Sequence, residues 1–287
     1  MPEMPEVEGL RGFLDEQLRG RVVAEGHLLS FHALKTFDPA LDSLLGLEVS
    51  AVERWGKFVG LDVQGVYLVF HLARAGWLIW HDEPPKTLPR PGKSGAVFRL
   101  LTDEGTGFTL TEAGTQKALA LYVVNDPSDV PGIAALGPDP LAADFGSAQL
   151  QEIFQCAGRA QLKGVLRDQK VMAGIGNAYS DEIAHAAQLS PFAPVSSLDE
   201  QTVKRVWEQI REVLGEAIEG AHGQAPSELK DSKRSSMRVH GRTGQPCPVC
   251  QTPVAEVSFA DSSLQYCPTC QTGGKPLADR RMSKLLK

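Results

Sequence analysis

The N-terminus places a proline at position 2 among three glutamates, in the order Met1-Pro2-Glu3-Met4-Pro5-Glu6-Val7-Glu8. Removal of Met1 would leave the secondary amine of Pro2 at the chain terminus, next to the Glu3 carboxylate. Such an amine can attack an electrophilic carbon and form a Schiff base. With a pKa near ~8, roughly one tenth of it is unprotonated at neutral pH. The same residues also fit a disordered start whose prolines lead into a helix.

Four of the five cysteines form two CxxC pairs with sixteen residues between them, Cys247/Cys250 and Cys267/Cys270. This spacing predicts a tetrahedral zinc ribbon, and four sulfur ligands without an open position predict a structural ion. The alternative is a pair of disulfides, which a reducing cytoplasm disfavours. Cys156 lies in an apolar helical stretch and is predicted to be a core residue.

Three further motifs could bind a ligand. Trp55-Gly-Lys-Phe58 predicts a turn that presents the Lys57 ammonium, although most such lysines are ordinary turn residues. Gly174-Ile-Gly-Asn177 predicts a helix start, where backbone N–H groups favour a phosphate, with Glu182 as a structural or catalytic carboxylate inside that helix. Arg242, on a glycine-flanked turn, suits a phosphate as well. The glycine spacing is not GxGxxG and no parallel βαβ pattern surrounds it, so a dinucleotide-binding fold is not expected. No organic cofactor is predicted.

Composition sets the frame for these motifs. The 287 residues are 42% hydrophobic, enough for two or three domains, and no apolar run approaches the ~18 residues of a membrane span. With no signal-peptide pattern, a cytoplasmic protein is expected. The protein is also expected to be a monomer. The formal net charge is −6, yet residues 226–287 carry ten Lys/Arg and five Asp/Glu. This basic end predicts contact with a polyanion, or else a solvated terminus.

Hydrophobic periodicity predicts the elements that must position these groups. Residues 6–19 read as a helix and 20–130 as mostly strands, with buried strands at 66–72 and 97–101. Residues from 148 onward are helical, and Ser197-Leu-Asp-Glu200 reads as a capping box before the next helix. The predicted domains are an N-terminal domain (1–135), a linker (136–147), a helical domain (148–230) and a zinc finger with a basic tail (231–287).

Together, the Pro-Glu-x-Pro-Glu-Val start, the Gly-Lys turn, the Gly-Ile-Gly-Asn helix start, the Gly-Arg-x-Gly-x-Pro-Cys lead-in and the CxxC-16-CxxC ribbon resemble the formamidopyrimidine-DNA glycosylase/endonuclease VIII family. The resemblance spans nearly the whole chain. It implies an α+β multidomain fold: an N-terminal β-sandwich with a helix, a helix–two-turns–helix domain and a zinc ribbon. It implies damaged DNA as the partner.

The resemblance also implies roles for individual residues. Pro2 would be the nucleophile on the sugar, and Glu3 the acid that assists base loss and ring opening. Lys57 would contact phosphate and donate a proton, and Asn177 would grip phosphate from its helix start. Glu6 and Glu182 match supporting carboxylates near the site. The implied chemistry is base release and then strand cleavage by elimination through the Schiff base.

Several positions depart from the family pattern. An arginine of the zinc hairpin that grips phosphate is replaced by Asp261, so Arg280 and Arg281 of the tail are candidate substitutes. Arg74 stands where a methionine normally fills the vacated base stack, and the later loop, Glu112-Ala-Gly-Thr-Gln-Lys117, has no phenylalanine, which family members usually carry there. The segment 223–240 is short for a lesion-capping loop, which weakens the expectation of 8-oxoguanine as substrate.

Two hypotheses therefore follow. The favoured one is a glycosylase and abasic-site lyase with an altered lesion preference. The other is a non-catalytic binder of damaged DNA that keeps the same fold.

Overall fold

The computed structural model describes residues 1–85, 87–90, 95–260 and 262–278, which form two compact units. The first comprises Met1–Leu136 with Gly220–Lys230, and the second comprises Gly137–Glu219 with Asp231–Lys287. The helices are α1 (Met4–Leu18), α2 (Pro131–Ala134), α3 (Ser147–Ala157), α4 (Leu162–Arg167), α5 (Asn177–Ala186), α6 (Glu200–Ala221), α7 (Leu229–Ser236) and α8 (Pro268–Thr272). The strands are β1 (Val23–Leu28), β2 (Val49–Trp55), β3 (Phe58–Val63), β4 (Val66–His71), β5 (Gly76–His81), β6 (Ala96–Thr102), β7 (Gly107–Glu112), β8 (Ala120–Val124), β9 (Ala255–Ser258) and β10 (Ser263–Tyr266).

The first unit is a β-sandwich of two antiparallel sheets, with strand orders β1-β6-β7-β5 and β2-β3-β4-β8. Apolar side chains from both sheets share one core, in which the rings of Phe70 and Phe108 lie 6.1 Å apart. The strands predicted at 66–72 and 97–101 are confirmed as β4 and β6. Because alternate residues of a strand face opposite sides, each sheet contributes one apolar face to this core.

Helix α1 packs on the sandwich through the apolar stripe that the sequence predicts, and Val7, Leu10, Leu14 and Leu18 join the core cluster. The helix begins two residues before the predicted start, because Glu3 is its N-cap. Glu3 and Glu6 form a capping box, a local signal that apolar spacing does not reveal. Burying a leucine side chain stabilises a fold by about 1.5–3 kcal/mol, so this stripe fixes the helix firmly.

The second unit is helical, with a small hairpin of β9 and β10 near its C-terminal end. The sequence predicts Ser197 as the N-cap of the helix that follows, and this prediction is wrong. The Ser197 hydroxyl donates to the Pro194 carbonyl, while the Asp199 carboxylate accepts from the Thr202 backbone N–H at 2.8 Å. Asp199 is the better placed acceptor because α6 begins directly after it.

The prediction that Cys156 is a core residue is also wrong. Helix α3 buries Leu150 and Phe154, which are four residues apart on one face, and Cys156 is exposed. Two residues along a helix rotate a side chain by about 200°, which turns Cys156 away from that face. None of the described helices is long and apolar enough to cross a membrane.

Candidate active site and metal centre

The first turn of α1 holds the N-terminal carboxylates in fixed positions. The Glu3 backbone N–H donates to Glu6 Oε2 at 2.8 Å, and both side chains are buried. Negative charge at a helix N-terminus is favourable, because the first N–H groups have no partner within the helix. Pro2 is buried directly before this turn, while half of Met1 is exposed. Glu6 therefore holds the backbone of Glu3 in place, and Pro2 directly precedes Glu3 in the chain.

Lys57 lies on the tight turn between β2 and β3, where Gly56 adopts a φ of 54°. Its side chain is buried. The residue that follows Lys57, Phe58, pairs with His71 of β4, and the two rings lie 4.7 Å apart. The sequence therefore predicts the turn correctly, and the structure adds that its lysine is held within the fold.

His71 is a candidate site residue that the sequence reasoning missed. Burial, together with the neighbouring Lys57 ammonium, lowers the pKa of His71 to about 4. The imidazole is therefore neutral at pH 7, and its Nδ1 lies 3.3 Å from the Ala73 backbone N–H, which donates to it. The proton of the neutral ring is then on Nε2, where it can be donated. The sequence pattern gives a role to Arg74, three residues further on, and none to His71.

Side-chain contacts show that the start of α1 and the Lys57 turn lie at the same end of the sandwich. Asp15, late in the helix, accepts from the Val52 backbone N–H at 3.0 Å, and Glu8, nearer the start, accepts from Arg54 at 2.7 Å. Helix α1 therefore runs antiparallel to β2, so its first residues lie nearest the Lys57 turn. Arg54 also donates to the Gly56 carbonyl at 3.1 Å, which ties the helix to the lysine turn.

Arg74 lies at this end too, in the turn between β4 and β5, and is exposed. Ala73 before it has a φ of 51°, the left-handed region that usually takes glycine. The turn therefore projects an exposed cation three residues beyond His71. This placement agrees with the predicted role of Arg74 as a nucleic-acid contact, which stays a prediction.

In the second unit Asn177 begins α5, as the glycine motif predicts, but its amide has a structural partner. Nδ2 donates to the Ser263 carbonyl of the hairpin at 2.9 Å. Oδ1 is buried and has no hydrogen-bond partner among the described residues. Lys163 Nζ donates to the Asn177 carbonyl at 3.0 Å, and Gln169 braces the preceding glycine loop. Because the amide nitrogen carries two N–H groups, the bond to Ser263 fixes the orientation of the side chain and leaves its second N–H for a phosphate.

Glu182 anchors the lead-in to the first cysteine pair. Its carboxylate accepts from the backbone N–H groups of Arg238, Val239 and His240 at 2.8–2.9 Å. Burial raises the pKa of Glu182, and the three donors oppose that shift. These contacts fit the structural role that the sequence leaves open for Glu182. Its other predicted role, as a carboxylate that supports catalysis, stays a prediction.

Asp181 forms a second buried anchor on the same helix. One of its carboxylate oxygens accepts from Lys163 Nζ at 2.5 Å. The other lies 2.8 Å from His240 Nδ1 and accepts from the Gln265 backbone N–H at 3.3 Å. A buried carboxylate needs such partners, since an unpaired buried charge is strongly destabilising. Helix α5 is thus bonded both to the lead-in and to β10.

The four predicted cysteine ligands converge. Their Sγ atoms all lie within 4.8 Å of one another, with Cys247 and Cys270 at 3.9 Å and Cys250 and Cys267 at 3.3 Å. Zinc–sulfur bonds of about 2.3 Å in a tetrahedron set the sulfurs about 3.8 Å apart, so the site fits the ion. His185 Nε2 lies 3.3 Å from Cys247 Sγ and can donate to the thiolate.

The remaining predicted DNA contacts are less informative. Arg242 donates to Gln245 at 2.9 Å and to the Met237 carbonyl at 3.1 Å, so it braces its own turn. A role in binding phosphate stays a prediction. Arg280, Arg281 and Asp261 lie outside the described residues.

Comparison with known proteins gives these sites a context. Three family models match in order: the formamidopyrimidine-DNA glycosylase N-terminal domain (residues 1–113), the H2TH domain of the same enzyme (136–227) and a zinc finger found in FPG and IleRS (244–273). The formamidopyrimidine-DNA glycosylase of Symbiobacterium thermophilum is 33% identical over 98% of this chain and 93% of its own. The chain belongs to the formamidopyrimidine-DNA glycosylase family.

Two further similarities refine this placement. The structure of the MutM (FPG) protein of Thermus thermophilus matches with a TM-score of 0.80 and 30% identity, over 96% of this chain and all of that one. An uncharacterized formamidopyrimidine-DNA glycosylase-like protein of Mycobacterium tuberculosis is 54% identical over 53% of this chain and 95% of its own. The family likeness confirms the predicted fold class and the DNA-repair family. Four cysteines on a family zinc finger confirm one structural zinc.

Proposed function

We propose that this family member is a DNA glycosylase with abasic-site lyase activity that uses Pro2 as its nucleophile. The carrying observation is that the α1 start and the Lys57 turn lie at one end of the sandwich, linked through Arg54. An amine, buried carboxylates and an ammonium beside a neutral histidine supply the groups that amine-based base excision needs. The substrate proposed is DNA carrying an oxidised base.

The proposed reaction starts once Met1 has been removed. The Pro2 nitrogen attacks C1′ of the damaged nucleotide, and the bond from C1′ to the base breaks as the Glu3 carboxylic acid delivers a proton to the leaving base. The proton that the Pro2 nitrogen loses passes to the Glu3 carboxylate, which becomes an acid again. Glu3 protonates the sugar ring oxygen, the ring opens, and the C1′–nitrogen bond becomes an iminium. Loss of a proton from C2′ then expels the 3′ phosphate, and water releases the enzyme from the cleaved strand. The damaged nucleotide must leave the helix first, which costs a few kcal/mol that cationic contacts offset.

Borohydride trapping tests the proposal. Protein with Pro2 at its terminus, incubated with abasic-site duplex DNA and borohydride, is expected to form a covalent complex that survives denaturation. Matched protein that retains Met1 has no free Pro2 amine and is expected to trap far less, and Pro2→Gly, which offers only a primary amine, should also trap much more weakly. If the processed protein forms no covalent complex, the proposal is wrong. A panel of duplexes with oxidised bases then identifies the preferred lesion.

A second candidate function is non-catalytic binding of damaged DNA. It is favoured by Asp261 in place of the hairpin arginine, and by Arg74 in place of the methionine that normally fills the vacated base stack. This candidate expects wild-type protein to bind abasic-site DNA without cleaving it, and Glu3→Gln to bind equally well. Cleavage by the processed wild-type protein would exclude it.

Arg54 is expected to position the lysine turn for the proposed reaction. Arg54→Met removes the bonds to Glu8 and to the Gly56 carbonyl, and a displacement of reacting groups by about 1 Å can cost roughly 100-fold in rate. We expect single-turnover cleavage of abasic DNA to slow by about 10- to 100-fold while DNA affinity changes little.

Arg11→Met is the matched control, because Arg11 also binds Glu8, at 2.7 Å, while Arg54 keeps the contact with the turn. Arg54→Lys keeps the charge and should recover part of the rate. Equal rates for Arg54→Met and Arg11→Met would argue against positioning, as would a loss explained by unfolding in a thermal melt.

A further inference from the structure

Phe31 is exposed to an extent unusual for an aromatic side chain, with 86% of its surface open to solvent. It begins the short 3-10 turn Phe31–Ala33, which follows β1. Single exposed apolar residues are common and need no explanation by themselves. The position of Phe31 in the fold is what makes it informative.

The turn that carries Phe31 is firmly held on both sides. Before it, the Leu29 and Ser30 backbone N–H groups donate to the Val97 carbonyl at 2.9 and 3.1 Å. Ala33 within the turn is fully buried, and the Lys35 backbone N–H donates to the Leu121 carbonyl at 2.8 Å. The exposed ring is therefore presented by an anchored backbone.

Strand register places this turn at the end of the sandwich that carries Lys57. Leu34 forms a parallel bridge with Leu121 of β8, and the neighbouring Ala120 is paired with His71. Because the segment runs parallel to β8, residues before Leu34 lie towards the His71 end. A side-chain contact agrees with this placement, since His32 Nε2 lies 3.9 Å from the carboxylate of Glu112, the last residue of β7.

Among the described residues, the two segments 72–75 and 113–118 at this end of the sandwich expose no large apolar group. The turn at 72–75 presents Arg74 to solvent, with Leu72 and Ala73 buried. The exposed loop at 113–118 consists of alanine, glycine, threonine, glutamine and lysine. Its base is fixed, because Glu112 accepts from the Ala118 and Leu119 backbone N–H groups. Among the described residues at this end of the sandwich, Phe31 is thus the highly exposed aromatic side chain, while Trp55 and Phe58 are half-buried.

We infer that Phe31 stacks on the bases next to the extrahelical nucleotide and fills the gap which that nucleotide leaves. This inference rests on the proposed function, because a flipped nucleotide opens a gap that an apolar side chain can occupy. DNA bases are the committed occupant, since the ring lies at the same end as Lys57 and the exposed Arg74. Stacking of one base on an aromatic ring corresponds to roughly 5- to 150-fold in affinity.

Phe37 provides a matched control on the same segment. It is 85% exposed, but it follows Thr36, whose hydroxyl oxygen accepts from the Val123 backbone N–H at 2.7 Å. Val123 pairs with Leu68, which precedes His71 by three residues in β4. Phe37 therefore lies towards the opposite end of the strand, away from the Lys57 turn.

The experiment compares Phe31→Ala, Phe31→Trp and Phe37→Ala in full-length processed protein. Affinity is measured for a duplex with a tetrahydrofuran abasic analogue beside 2-aminopurine, whose fluorescence reports stacking, and for the same strand alone. Phe31→Ala is expected to bind the duplex roughly 5- to 150-fold more weakly and to lose the fluorescence change, and Phe31→Trp to restore both. Phe37→Ala should match the wild type.

Three results would overturn the inference: no loss for Phe31→Ala, an equal loss for Phe37→Ala, or an equal loss on the single strand. Trapping separates this test from the proposed function. Wild-type protein that traps normally while Phe31→Ala binds unchanged refutes the role of Phe31 alone. Wild-type protein that never traps refutes the lyase, whatever the affinities show.

Discussion

A Glu3→Gln variant is expected to release damaged bases about 10²- to 10⁴-fold more slowly than the wild type, the range that general acid catalysis typically contributes. Glutamine keeps the shape of the side chain but cannot deliver a proton. Since the Glu3 backbone N–H remains bonded to Glu6, the helix start should keep its geometry. Single-turnover assays on a duplex with an oxidised base, analysed for free base, measure the effect.

The Pro2 amine is unchanged in this variant, so covalent trapping on a preformed abasic site should fall much less than base release. Glu16→Gln is the matched control, because Glu16 is exposed on the same helix, beyond the first turn. A Glu3→Gln protein that releases bases at the rate of Glu16→Gln would remove Glu3 from the proposed chemistry. A thermal melt distinguishes a chemical loss from an unfolded helix start.

Loss of the zinc ion is expected to unfold the region around the two cysteine pairs. Structural zinc contributes apparent energies of about 10–16 kcal/mol in small zinc modules, comparable to or above the ~5–15 kcal/mol stability of a typical domain. Cys270→Ser, or a strong chelator, should reduce bound zinc from one ion per chain to near zero. Hydrogen exchange of the Val239 and His240 amides should then become fast, because their bonds to Glu182 depend on a folded lead-in.

Cys156→Ser serves as the control for this experiment, since Cys156 is exposed on α3 and apart from the sulfur cluster. It should retain zinc and slow exchange. If Cys270→Ser retained one ion and slow exchange at these amides, the four-sulfur site would be wrong. DNA binding is expected to weaken with zinc loss as well, because the Ser263 carbonyl of the hairpin would no longer orient the Asn177 side chain, a predicted phosphate contact.

The sequence predicts features whose cause is local. Two residues between cysteines form a turn that aims both sulfurs at one ion, so the zinc ligands can be read from spacing alone. The strands and α1 follow from the period of their apolar residues. The cap of α6 is harder, because Ser197 and Asp199 are both good caps and the backbone direction decides between them.

Features that depend on tertiary contacts could not be predicted. His71 becomes a candidate site residue only when Phe58 pairs opposite it and Lys57 approaches, and neither contact is visible in the order of residues. For Glu182 the sequence left structural and catalytic roles open, and its three backbone donors lie more than fifty residues along the chain. The exposure of Cys156 depends on which face α3 buries.

The bonds of α5 also limit how the molecule can be re-engineered. Changing lesion preference by grafting the cysteine hairpin of a relative is an obvious design, yet that hairpin shares its polar partners with this helix. A graft that lacks the equivalent of the His240 side chain, or that displaces the backbone N–H at position 265, would leave the Asp181 charge short of partners inside the protein. Losing a partner of a buried charge can cost about 3–5 kcal/mol. A workable chimaera would therefore exchange α5 together with the hairpin.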